Sequence, residues 1–161
     1  MPLYDPTMVR VLALLAAASL AACGAEADPL DEACVSGPGA IEHALTRAPR
    51  PVTLPSGTRL SQCVSNARSD ADLQTAGAVL TRAADHLAAR ARAGDADAAL
   101  RLGYLVGAAR RGAKRTAGIH AELQRHIERS AAVLDGAGAR IASALPVGQR
   151  GGDASAGEAT G

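Results

Sequence analysis

Residues 69–93 read Ser-Asp-Ala-Asp-Leu-Gln-Thr-Ala-Gly-Ala-Val-Leu-Thr-Arg-Ala-Ala-Asp-His-Leu-Ala-Ala-Arg-Ala-Arg-Ala, and this stretch decides the fold. Leu73, Ala76, Leu80, Ala83, Leu87 and Ala91 recur every three or four positions, which places them on one face of an α-helix. Ser69 is a suitable N-cap, and Asp70 and Asp72 stand where the helix dipole favours negative charge. The spacing predicts one long helix over Asp70–Ala93. Gly94-Asp95 breaks it, and Asp95 caps the next.

The same periodicity runs outward in both directions. Downstream, Ala98, Leu102, Leu105, Val106 and Ala109 form the stripe of a helix from Ala96 to about Arg111. Gly103 and Gly107 are four apart in it, a spacing that permits a tight helix–helix crossing. Flanking arginines argue against a membrane span there. Ile119, Leu123, Ile127, Ala131 and Leu134 mark another helix from about Thr116 to Asp135. Ala137–Leu145 reads as a shorter helical piece stopped by Pro146. Residues 147–161, rich in Gly, Ser, Ala and acids, read as a disordered tail. Upstream, Leu60, Cys63, Val64 and Ala67 share a helical face. Ala40–Ala48 reads as a short helix ended by Pro49. The segment 49–57 between them, with Pro49, Pro51, Pro55 and Gly57, reads as loop with a turn at Pro55-Ser56-Gly57. Val52-Thr53-Leu54 could make only a brief strand, with no sheet to join. The expected fold is all-α: a small bundle of about four helices over residues 34–146.

Composition limits what such a bundle can do. The chain has no Trp, no Phe and two Tyr, and Tyr104 is the sole aromatic beyond residue 22. The core must be built from Ala, Leu, Val and Ile, and each buried Ala contributes less than a larger side chain would. One Tyr cannot make a stacking platform for single-stranded nucleic acid or an aromatic cage for a quaternary ammonium. A formal net charge of +1 gives no global field to attract nucleic acid.

The N-terminus carries an address. Arg10 precedes an apolar run from Val11 to Ala22, too short for a bilayer-spanning helix, which needs ~20 residues. Leu20-Ala21-Ala22-Cys23-Gly24 resembles the lipobox of bacterial lipoprotein precursors, small Ala- and Arg-rich members included. The resemblance covers residues 8–24. It implies removal of residues 1–22, acylation of Cys23, and display on the outer face of the cell membrane, with residues 23–33 as a tether. Asp5 is foreign to a positive leader, which leaves Met8 as a second candidate start. Two or more acyl chains anchor firmly where one binds marginally.

Three cysteines remain to be assigned. With Cys23 on lipid, Cys34 and Cys63 form a pair 29 positions apart, and an exported compartment favours a disulfide between them. Closing such a loop stabilises by about 3 kcal/mol in the chain-entropy model. That bond would staple the N-terminal arm to the bundle. Two reduced buried thiols are the other reading. The spacing matches no zinc pattern.

Catalytic spacings are absent: there is no nucleophile elbow, phosphate loop, dinucleotide fingerprint or metalloprotease histidine pair. The stretch from Gly94-Asp95 to Leu102-Gly103-Tyr104 resembles a helix of a Sel1 or tetratricopeptide unit, but a solenoid needs about three repeats. Glu122 and His126 lie one helical turn apart and His86 could join them from the preceding long helix, as a weak metal site. His120 points elsewhere on a regular helix. A solvated Glu–His pair is the plainer alternative. Arg110, Arg111, Lys114 and Arg115 concentrate positive charge at a helix end, either as an anion-binding surface or as cations placed to suit the dipole. The leading expectation is a membrane-anchored, non-enzymatic helical interaction or ligand-binding module with no cofactor. Its partners would be the membrane and a protein or an anionic polymer of the envelope. A small metal-handling protein or enzyme using His86, His126 and Glu122 is the rival.

Overall fold

The computed structural model describes residues 29–154 apart from 117 and 119. The leader, Cys23, most of the tether, Ile119 and residues 155–161 lie outside the described residues. Six α-helices follow in order: α1 (Pro38–Ala44), α2 (Leu60–Ser65), α3 (Asp70–Arg92), α4 (Ala96–Lys114), α5 (Ala121–Ala132) and α6 (Ala139–Ala154). Short 3-10 turns occupy Glu32–Cys34 and Leu45–Arg47. Among the described residues there is no strand, only one isolated bridge between Thr53 and Arg59. No helix there is long and apolar enough to cross a membrane.

The long helices start where their caps are. The Ser69 hydroxyl accepts from the Asp72 amide at 3.0 Å, and Asp72 returns a bond to the Ser69 amide. The Asp95 carboxylate accepts from the Ala98 amide at 2.9 Å and holds Arg90 at 2.7 Å, so the break at Gly94 is fixed from both sides. α4 is the central pillar. It is buried on nearly every face, Ala98, Leu102, Tyr104, Val106 and Ala109 included, and α2, α3, α5 and α6 all pack on it.

The tightest of these contacts joins α4 to α6. A Cβ on Gly103 would fall on the Leu145 carbonyl oxygen, and one on Gly107 on the Gln149 carbonyl oxygen. Reciprocally, a Cβ on Gly148 would meet the Leu100 carbonyl and one on Gly152 the Tyr104 carbonyl. Two pairs of glycines, each four apart, thus let the backbones touch. That contact explains why α6 departs from expectation. Pro146 does not stop the helix, and residues 147–154 continue it. Proline removes one backbone donor, but continuous packing of Leu145, Gly148, Gln149 and Gly152 on α4 outweighs that loss. α6 is also separate from α5, which ends at Ala132 and is followed by a turn with Gly136 at φ 83°.

Cys34 and Cys63 form the disulfide, both fully buried, with Cα atoms 5.4 Å apart. The arm is therefore fixed to α2, which lies on α4 at Gly112, where a Cβ would come within 2.5 Å of the Ser61 carbonyl oxygen. Loop 49–57 is a working part of the core. Val52 and Leu54 are buried, and the Val52 amide donates to the Tyr104 hydroxyl at 2.8 Å. The lone described aromatic thus satisfies a buried backbone donor.

Candidate functional site

α3 and α5 diverge enough to leave a groove of about 450 Å³ between them. Its floor is apolar, from Leu73, Gly77, Ala78 and Leu123, and its rim is polar, from Arg82, Glu122 and His126. α5 is held to its neighbours by two polar ties. Ser130 donates to Asp85 of α3 at 2.7 Å, and Arg110 of α4 pairs with Glu128 at 2.6 Å.

On the rim, Glu122 collects three partners from its own helix: Arg125 at 2.7 Å, Arg129 at 3.3 Å and His126 at 3.4 Å. The hydrogen bond from Arg125 is the main reason its carboxyl is held below the ordinary range. The pairing of Glu122 with His126 follows from their spacing. His86 does not join them. It bonds Glu42 of α1 at 3.0 Å, on a different side of α3. Among the described residues, no group of three or more His, Cys, Asp or Glu side chains stands close enough to hold a metal ion. The expected His86, His126 and Glu122 constellation is therefore corrected: α3 turns His86 toward α1.

His120 does not lie on a regular helix face as its spacing from Glu122 implied. It is 2% exposed. The segment before it is a turn, with Gly118 at φ 89° and the Gly118 carbonyl accepting from Ala121. The turn brings the imidazole inward, where Nε2 donates to the Ala67 carbonyl at 2.5 Å. Because a carbonyl only accepts, Nε2 carries a hydrogen; the buried Nδ1 has no hydrogen-bond partner among the described residues. His120 lines the end of the α3–α5 groove and also a second cavity of about 220 Å³, with Ser65, Arg68, Arg115 and Thr116.

The basic run at the end of α4 is dispersed. Arg110 is taken by Glu128, and the Arg111 guanidinium donates to the Asp153 carbonyl of α6. Lys114 is exposed, and Arg115 lies at the second cavity beside Arg68, a residue the charge run did not include. Only the packing of the 116–120 turn on the 66–69 connection reveals that pair. No protein-family model, curated protein or solved structure matches the chain.

Proposed function

We propose that this chain is an exported lipoprotein, acylated at Cys23, whose helical domain works outside the cytoplasm as a non-enzymatic ligand-binding or protein-interaction module. The observation that carries the reading is the Cys34–Cys63 disulfide, a bond that oxidising compartments form and keep, standing shortly after a lipobox-like Leu20-Ala21-Ala22-Cys23-Gly24. The two features are independent in chemistry and agree on the compartment. The α3–α5 groove supplies a seat for a ligand, since its volume lies in the range of small-molecule sites and its wall combines apolar Leu73 and Leu123 with polar Gln74, Thr81, Arg82, Glu122 and His126.

In this reading the acyl chains fix the domain at the membrane, Asp31 and the Glu32–Cys34 turn hold the arm against the bundle, and the disulfide keeps that arm from unravelling. The test is fractionation of bacteria expressing the full chain and its Cys23→Ser variant. The native chain should partition with membranes and carry an acylated mass beginning at Cys23, and the variant should be released. A native mass without acyl groups, or a variant still bound to membranes, overturns the reading.

A further inference from the structure

We infer that the cavity between the α2–α3 connection and the α4–α5 turn is a binding site for a phosphate-type oxyanion, held by Arg68 and Arg115. It stands on different residues from the anchor and from the α3–α5 groove floor, and goes beyond the function proposed above.

Four observations converge on it. First, both arginines line the cavity, and among the described residues neither guanidinium has an ion-pair or hydrogen-bond partner. Second, among the described residues no carboxylate shares the wall. The remaining lining residues are Ser65, Thr116 and His120. The Ser65 hydroxyl donates to Asn66 at 3.0 Å and the Thr116 hydroxyl to the Ala113 carbonyl at 2.8 Å, so the donors left for a ligand are the guanidiniums. Third, the cavity sits at the start of α5, where the helix dipole adds positive potential. Fourth, His120 in the wall is 2% exposed and its bond to the Ala67 carbonyl holds that side of the cavity in place.

Two uncompensated guanidiniums on a concave surface suit a phosphate-type anion, free phosphate or a phosphodiester headgroup alike, and their planar forks match its oxygens. The His120–Ala67 bond fixes the two chain segments that bear the arginines, so part of the ordering cost of binding is met before the ligand arrives. At about 220 Å³ the cavity admits an oxyanion head and little more.

The experiment uses the full chain, isotope-labelled and held in zwitterionic micelles. The Arg68 and Arg115 Nε–H signals and the His120 ring signals are followed by NMR. Sodium phosphate is titrated in at constant ionic strength against sodium chloride. Saturable shifts of all three residues are expected with phosphate and not with chloride. Arg68→Gln and Arg115→Gln, at positions outside the core, should keep the native circular dichroism and midpoint. Each should weaken binding about tenfold or more, the value of one charge-assisted hydrogen bond. A second arm compares phosphatidylglycerol with phosphatidylcholine in the micelles. Shifts produced by the former, with no further change on adding phosphate, identify a lipid headgroup as the source. Shifts only with free phosphate identify a soluble ligand. No shift with either, or unchanged affinity in both variants, overturns the site. None of these outcomes bears on acylation of Cys23, so failure here and failure of the anchored-module reading are told apart.

Discussion

At the residue scale, glycine plays two opposite parts in one molecule. Gly77 lies mid-helix on α3, and a Cβ there would reach the Leu123 Cδ1 at 3.5 Å, an ordinary contact. Gly77→Ala should therefore stabilise by about 0.5–1 kcal/mol, because it removes backbone freedom from the unfolded chain without a clash. Gly103 has the same helical backbone but faces the Leu145 carbonyl, which cannot rotate away. Gly103→Ala should destabilise by about 3 kcal/mol or more, since the strain falls on two packed backbones. Urea unfolding of the two variants beside the native chain checks both. Equal and small effects would mean that α4 and α6 are not in backbone contact. The pair Gly103 and Gly107 was legible as a close crossing, but its partners were not. Gly148 and Gly152 sit in a stretch whose composition reads as tail, and nothing local says that two glycines four apart answer two others four apart.

At the element scale, legibility followed how much each helix carries its own start and stop signals. α3 and α4 have capping side chains, a Gly94 break at φ 96°, and long apolar stripes. The start and end of α3 and the start of α4 lie where those signals put them, while α4 runs on to Lys114, past the expected stop near Arg111, because Gly112 packs against α2. α5 is shorter than its periodicity suggests because the turn at Gly118 delays its start. That same turn sends His120 inward, so the angles counted along a regular helix misplaced it. The site was hidden for the same reason: Arg68 and Arg115 are 47 positions apart in the chain and meet only through a loop–loop contact. The arm was legible through cysteine pairing, and it tests how much one link contributes. α2 is short, and it holds the arm by Cys63 and α4 by close approach at Gly112. Reduction, or Cys34→Ala with Cys63→Ala, should remove about 3 kcal/mol and lower the thermal midpoint by on the order of 10 °C. Scanning calorimetry with and without reductant reads this directly. An unchanged midpoint would mean that the arm contributes no constraint to the unfolded chain.

At the scale of the whole molecule, an interior of small side chains leaves polar ties to hold the periphery, and three carboxylates are more strongly bonded in the folded chain, two of them across elements and one within α5. Asp31 is held below the ordinary range by the Ser56 hydroxyl first, then by the Thr58 hydroxyl and the Ala33 amide, and so fastens the arm to the loop before α2. Asp95 is lowered chiefly by the Ala98 amide and then by Arg90, at the α3–α4 corner. Glu122 is lowered by Arg125 on the groove rim. A carboxyl whose folded value is depressed binds fewer protons folded than unfolded. Its contribution is therefore complete above the unfolded value and fades as pH falls through the ordinary carboxylate range near 4 and on toward the lowered folded values. The midpoint should be level near neutrality and decline below about pH 5. Asp31→Asn keeps an acceptor for the Ala33 amide but cannot ionise, so it should cost little stability in acid and more at neutral pH, giving a shallower decline. Thermal midpoints of both chains across that range decide the matter. Parallel curves would mean that the arm's carboxylate is no more strongly bonded in the folded protein than in the unfolded one. The acid sensitivity would then rest on the Asp95 corner and the Glu122 rim.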